Sequence, residues 1–411
     1  MDQLLSKLFN KQPRFELKWR IITPIIILCI ISLILLKSTS NDTTFMVSTF
    51  NRQLVWLLLG AVIFICSQFI RIQFFYEYAY LLYAVLILSI IATYYMPEIG
   101  GSRRWIMLGT ISFQPSELGK LIMVFVIAKF LADQRENFNH VVVYLVTIML
   151  AVIPAVLVFK QPDLGTAFIY LAITYPMLYW SGVRPYYLFI FFSPLLSVIA
   201  AFNLISFYVW MLILVILLFS SQPRFWEGVT VFVFNVSCGL LAPYIWTNIL
   251  YEHQRNRILT LIDPLRDPQG TGYQIIQSMT AIGSGGVWGK GFGKGTQTHL
   301  RYLPVRDTDF IISVSGEELG LFGIILILCS FGFFLYWMLA YSQKVRTNFS
   351  SLVIIGFATI LFVHLLVNMG MTVGLFPVTG LPAPFLSYGG SFLLTCIIMI
   401  ALANNISSNE I

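Results

Sequence analysis

The sequence predicts an all-α polytopic membrane protein, with about 10–12 transmembrane helices and one long extracytoplasmic loop. Two observations carry that class. Of 411 residues, 58% are hydrophobic and 10% charged, and the mean hydropathy is +0.83, far from soluble averages. Stretches almost free of charge recur from Ile21 to Ala403, each near the roughly 20 residues a helix needs to cross a hydrocarbon core. A transmembrane β-barrel would show alternation instead.

Taken in order, the spans fall at 20–36, 54–70, 76–96, 116–131, 141–158, 164–181, 186–202, 204–220, 228–248, 310–340, 349–371 and 385–403. The first follows basic residues, but Leu36 is succeeded by Lys-Ser-Thr-Ser-Asn-Asp rather than a small-residue cleavage site, so it reads as a retained helix. With the N-terminus inside, cytoplasmic segments carry twelve Lys and Arg: Lys7, Lys11, Arg14, Lys18, Arg20, Arg71, Lys129, Arg135, Arg184, Arg224, Lys344 and Arg346. The short outer loops carry five: Lys37, Arg52, Arg103, Arg104 and Lys160. Cytoplasmic loops are enriched in Lys and Arg, so both termini are expected inside and the loop at 249–309 outside. The net charge of +7 is therefore topological, and no nucleic-acid partner is expected. Cys29, Cys66, Cys238, Cys329 and Cys396 all lie in apolar runs, which suits packing and implies no disulfide framework. The chain reads as one domain, 1–411, with no repeat of fixed period.

A loop as long as 249–309 is usually functional or disordered, and its composition argues against disorder. "TGYQIIQSMTAIG" sets Ile275, Ile276, Met279 and Ile282 at helical spacing, with Gln274, Gln277 and Ser278 opposite, as in a helix at a membrane surface. Next comes "GSGGVWGKGFGKGTQ". Its glycines permit close backbone approach, and successive N–H groups can form an anion nest, with Lys290 and Lys294 adding charge. A flexible lipid-facing loop is the competing reading. The P-loop and GxGxxG patterns are both absent.

Three further clusters gather ionisable residues at or near the outer boundary. "QPSELGK" opens a helix in which Glu117 and Lys120 are i, i+3 neighbours and can face one another. A helix-start signal explains Ser116 and Glu117, but Lys120 inside a span is costly and points to function. In "KQPDLGT", Asp163 is either an N-cap or a site residue. Asp309 ends the long loop just before an apolar run, where low-dielectric surroundings favour a raised pKa and proton abstraction; a helix-cap aspartate is the alternative. Glu317 and Glu318, two turns further on, need a polar interior or partner. His364 has no second ligand at metal spacing and reads as a satisfied core histidine.

Together "GSRRWIMLGTISFQPSELGK", "KQPDLGTA", the stretch 254–298, "LPVRDTDFI", "GEELGLFG" and "PVTGLPAPFLSYGGS" resemble the SEDS family (shape, elongation, division and sporulation) over most of the chain and in the family's order. "GTQT", "LPVRDTDF" and "PVTGLP" resemble the RodA branch more than the FtsW branch. The resemblance implies a peptidoglycan glycosyltransferase that polymerises lipid II, the undecaprenyl pyrophosphate-linked disaccharide-pentapeptide, in the bacterial cytoplasmic membrane. It implies a class B penicillin-binding protein transpeptidase as partner, besides membrane lipids. It also implies Asp309 as the essential aspartate, with Glu117 and Lys120 completing the catalytic set. Arg104, Asp163, Arg255, Arg257, Lys290, Lys294 and Gln297 are the substrate-binding candidates. The departing pyrophosphate would be stabilised by Arg255, Arg257, Lys290, Lys294 or a divalent cation, Mg or Mn; no organic cofactor is expected.

Two features depart from the family pattern. Where members usually read Leu-Pro-Glu-x-His-Thr-Asp-Phe, this chain has Val305 for the Glu and Asp307 for the His. Asp307 is expected either to raise the pKa of Asp309 by like-charge repulsion or to share a cation with it. Members usually have ten helices, so 186–248 is expected to hold an extra pair. A lipid-linked precursor flippase would also need intramembrane Lys and Glu, but transporters set such residues near the midplane. A division-type polymerase and an inactive scaffold are the remaining alternatives.

Overall fold

The computed structural model describes residues 16–40, 48–98, 102–108, 111–134, 140–222, 225–248, 255, 259–260, 263, 271–300 and 302–411. Twelve long helices correspond to the twelve expected spans. They are α1 (Trp19–Thr39), α2 (Thr49–Ser67), α3 (Ile72–Thr93), α4 (Pro115–Asp133), α5 (His140–Phe159), α6 (Leu164–Trp180), α7 (Pro185–Ala200), α8 (Leu204–Ser221) and α9 (Phe225–Asn248), followed after the long loop by α12 (Ile311–Ser342), α13 (Asn348–Thr372) and α14 (Gly390–Asn409). Nine of the described helices are long and apolar enough to cross a membrane. Helices α6 and α7 are apolar but shorter, and α4 carries Glu117, Lys120, Lys129 and Asp133.

Local chemistry fixes the helix starts. Pro115 and Pro185 occupy first-turn positions, where a missing N–H costs nothing. Asp163 accepts from Thr166 N, Asn203 from Ile205 N and Ser206 N, and Thr347 from Ser350 N, each satisfying donors a helix start leaves open. The expected breaks near Pro162 and at Asn203 are therefore real helix boundaries.

The 102–114 segment, expected as loop, contains a two-stranded antiparallel hairpin. β1 (Ile106–Leu108) pairs with β2 (Ile111–Phe113) in the register Ile106 with Phe113. Inside the long loop lie α10 (Thr271–Gly285) and the short α11 (Thr296–His299). Helix α10 exists as expected, but its buried face differs. Ile275, Ser278 and Ala281 are buried while Met279 is exposed. Ser278 bonds Ser313 Oγ at 2.7 Å and the Thr372 carbonyl at 2.6 Å, so small residues let α10 pack closely on α12 and α13.

Helices α13 and α14 are the most buried spans, with α13 packed against α4, α6 and α12 and α14 against α2. Helices α7, α8 and α9 form an annex with a small cluster of its own around Met211, Leu214 and Leu218, joined to the bundle through contacts of α7 with α5 and α6. Asn235, Ser193, Ser197 and Trp210 hydrogen-bond inside it, the polar glue expected where lipid gives helices no hydrophobic drive to associate.

The 32 residues of α12 would extend about 48 Å as one straight helix, well beyond a hydrocarbon core of about 30 Å. Gly320 breaks it, with φ 68° and ψ −162°. The stretch Leu321–Ser342 is the crossing element. Residues 311–319 form a separate buried segment that carries Glu317 and Glu318 just before the break.

Candidate functional site

Four separate stretches converge around the start of α12. Asp309 lies in the turn before it, half-buried, with its backbone N–H donated to Val305 O at 3.1 Å. Burial pushes its carboxyl above the ordinary carboxylate range, and a hydrogen bond from the Thr308 side chain acts in the opposite direction. The loop 377–389 wraps this turn. Ser387 Oγ donates to Thr308 O, Tyr388 N to Asp307 O at 2.8 Å, and a Cβ at Gly380 would lie 3.6 Å from Asp309 Oδ2.

Asp307 has a cationic neighbour of its own. Its carboxylate lies 3.8 Å from Arg306 Nε, and burial is the largest cause of the upward shift at Asp309. Arg306 anchors the turn by donating to the carbonyls of Thr298 and Thr39. Asp307, Arg306, Thr308, Tyr388 and Thr49 line a cavity of about 350 Å³. The described residues contain no group of three or more His, Cys, Asp or Glu able to hold a metal ion. Asp307 and Asp309 offer one or two carboxylates, which is what Mg²⁺ needs when it arrives on a substrate's phosphates.

Lys120 is wholly buried. Its Nζ lies 2.9 and 3.0 Å from the two Glu117 oxygens, 3.0 Å from His364 Nε2 and 5.1 Å from the centre of the Phe392 ring. The i, i+3 spacing thus yields an ion pair, and His364, read from sequence as a core residue, is its third partner. Asp163 gathers Thr166 N, Thr166 Oγ1 at 3.1 Å and Gln114 Nε2 at 2.9 Å, with Arg104 Nη1 3.6 Å away. The cap and the ionic contact coexist, and the hairpin is what brings Arg104 there. The helix that Asp163 caps touches the 377–389 loop where Gly165 meets Leu381.

The glycine-rich segment is tied to protein rather than left open as an anion nest. Lys290 N and Gly291 N donate to the carbonyls of Glu317 and Glu318, and Gly293 N to Ser38 Oγ. Lys290 Nζ lies 2.8 Å from Glu317 Oε1. The Glu317 carboxylate also accepts from Gln297 N, Thr298 N and Thr298 Oγ1. Glu318 takes Ser38 and His299. Both glutamates thereby gain the polar partners that burial demands. Of the other candidates, Lys294 is exposed and Arg255 half-buried, while Arg257 lies outside the described residues. Asn368 was missed: its Nδ2 donates to Asp309 O and Leu381 O. The only sequence signal was a second polar residue one turn after His364 in an apolar span.

Comparison with known proteins places the whole chain in a family and a fold. A family model described as a cell cycle protein, FTSW_RODA_SPOVE, matches residues 15–210 and 186–411. The peptidoglycan glycosyltransferase MrdB of Escherichia coli strain K12 is 33% identical over 362 residues, spanning 87% of this chain and 85% of MrdB. A probable peptidoglycan glycosyltransferase FtsW from Trichlorobacter lovleyi is 31% identical over 87% of this chain and 83% of its own length. Among solved structures, a chain of a peptidoglycan synthase complex, studied for its structural coordination of polymerization and crosslinking, aligns with a TM-score of 0.73 and 26% identity over 96% of this chain and 98% of that one. This all-α polytopic membrane chain therefore belongs to the FtsW/RodA/SpoVE (SEDS) family of peptidoglycan glycosyltransferases.

Proposed function

We propose that this protein polymerises lipid II at the outer face of the cytoplasmic membrane, as an elongation-type enzyme, with Asp309 as general base. The carrying observation is a half-buried carboxylate whose pKa is raised by burial, at the start of α12 and next in sequence to Asp307 and Thr308, which line an open cavity. The acceptor sugar hydroxyl loses its proton to Asp309 as its oxygen attacks the anomeric carbon of the donor. The bond from that carbon to the lipid pyrophosphate breaks, and the pyrophosphate leaves with the electron pair.

Lys294 and Arg104 remain the exposed and half-exposed cations suited to the leaving group. Lys290 stabilises the wall through Glu317. If Mg²⁺ or Mn²⁺ arrives with the substrate, it neutralises charge on the pyrophosphate; no step above depends on it. The buried Glu117–Lys120–His364 group is the electrostatic support beneath the site.

Charge asymmetry supports both termini inside. The motifs nearest the RodA branch support the elongation role. A transpeptidase of the penicillin-binding class is the proposed partner, supported by the related chain's membership of a synthase complex. The test is polymerisation of purified lipid II in liposomes with that partner. Asp309→Asn is expected to make no glycan chains while still binding lipid II, and Asp307→Asn to retain activity. Chains from Asp309→Asn would sink the assignment.

A further inference from the structure

His364 and Asn368 are wholly buried polar side chains on successive turns of helix α13. His364 serves Lys120. Asn368 spends both hydrogens of its Nδ2 group on backbone carbonyls of two separate segments, Asp309 O at 2.9 Å and Leu381 O at 2.7 Å. Its Oδ1 is buried without a partner, and leaving a buried acceptor unsatisfied costs about 1–3 kcal/mol. A leucine would fill similar space and remove the orphan oxygen but would leave both carbonyls without their donor, so the amide is accounted for by the bonds it donates and not by packing.

What the amide supplies is a junction. Turning it over would set Oδ1 against two carbonyl oxygens, so its orientation is fixed by both partners at once. One carbonyl belongs to Asp309 itself. The other follows Gly380, whose Cβ position is 3.6 Å from Asp309 Oδ2. The same NH₂ group therefore fixes the backbone that carries the carboxylate and the wall which that carboxylate faces.

We propose that Asn368 is a positioning residue for glycosyl transfer: by clamping the carbonyls of Asp309 and Leu381 it sets the distance and angle of the Asp309 carboxylate to the acceptor hydroxyl. It does this without touching substrate, and it rests on the reading of Asp309 as base. A displacement of about 1 Å in a reacting group can cost on the order of 100-fold in rate.

The experiment measures lipid II polymerisation by the full chain with its partner in liposomes across pH, for wild type, Asp309→Asn, Asn368→Leu and Asn368→Asp. Asn368→Leu is expected to lower kcat by about 100-fold and leave KM for lipid II unchanged. Asn368→Asp supplies a second, internal readout. Its protonated carboxyl can donate to one carbonyl, whereas its ionised form faces two carbonyl oxygens and repels them. Its kcat relative to wild type should therefore fall as pH rises, a change measured within one folded sample even if Asn368→Leu folds poorly. Wild-type kcat in Asn368→Leu, a loss expressed in KM alone, or an Asn368→Asp profile that overlays wild type would each overturn the clamp. An active Asp309→Asn would defeat the base assignment and the clamp together. An inactive Asp309→Asn beside fully active Asn368 variants would defeat the clamp alone.

Discussion

At the scale of single residues, Asp309 and Lys120 obtain their properties in different ways. Burial raises the Asp309 pKa, and a base acts only when ionised. As pH falls, wild-type activity should therefore decline on a limb lying above the ordinary carboxylate range. Thr308→Val removes the hydrogen bond that favours the ionised form, and should move that limb to still higher pH. A limb that stays in place would count against Asp309 as the titrating group. Lys120 is buried with its counter-charge, and removing one partner of such a pair costs about 3–5 kcal/mol because the other charge is stranded. Lys120→Met should therefore lower the thermal midpoint in detergent more than Glu117→Gln/Lys120→Met does, and both should lose polymerisation. A double variant no more stable than the single would mean that the pair is not coupled. The Glu117–Lys120 contact was legible because helical spacing alone makes it. His364 and Asn368 were not: their partners lie 244, 59 and 13 positions away, two of them being carbonyls that every residue carries.

At the scale of elements, α12 and the glycine-rich segment depend on each other. A Cβ at Gly320 would stand 2.3 Å from Gly289 N and 2.6 Å from Val287 O, both backbone atoms that cannot swing aside, and its φ of 68° is itself costly for an L side chain. Gly320→Ala should destabilise by about 3 kcal/mol or more. It should also loosen the segment that carries Lys290 and Gln297 away from Glu317. Thermal unfolding and proteolysis within 286–300 measure the two effects, and an unshifted midpoint would show that the break in α12 is tolerant. The sequence suggested that these glycines serve close approach, and they do. It could not say what approaches: the carbonyls exposed by the Gly320 break take the N–H groups of Lys290 and Gly291, which are therefore not free to form an anion nest. The face of α10 shifted for a related reason: Ser278 was assigned to the polar side, but its hydroxyl finds Ser313 and Thr372, so a polar residue is buried and Met279 is not.

At the scale of the whole molecule, the positions of the long apolar helices were legible because a membrane imposes one length and one composition on every crossing. The segment just before α1 meets the end of α14. Lys18 N donates to Asn404 Oδ1, and Ser408 Oγ to Glu16 O, which places these two segments on one side of the bundle. Helices α8 and α9, within the stretch 186–248 where an extra pair is expected, pack with α7 around their own small cluster, apart from the convergence of α4, α6, α12 and α13 that builds the site. Removing residues 203–248 excises both helices, keeps the crossing number even and leaves the long loop on its original side, attached beyond α7. The expected outcome is a protein that still inserts and still polymerises lipid II in liposomes with its partner, because none of the residues around Asp309, Lys120 or Asp163 belongs to the deleted pair. A deletion variant that inserts but makes no chains would show that the annex acts on the site through α7 and its contacts with α5 and α6, and would overturn the view that the site is complete without it.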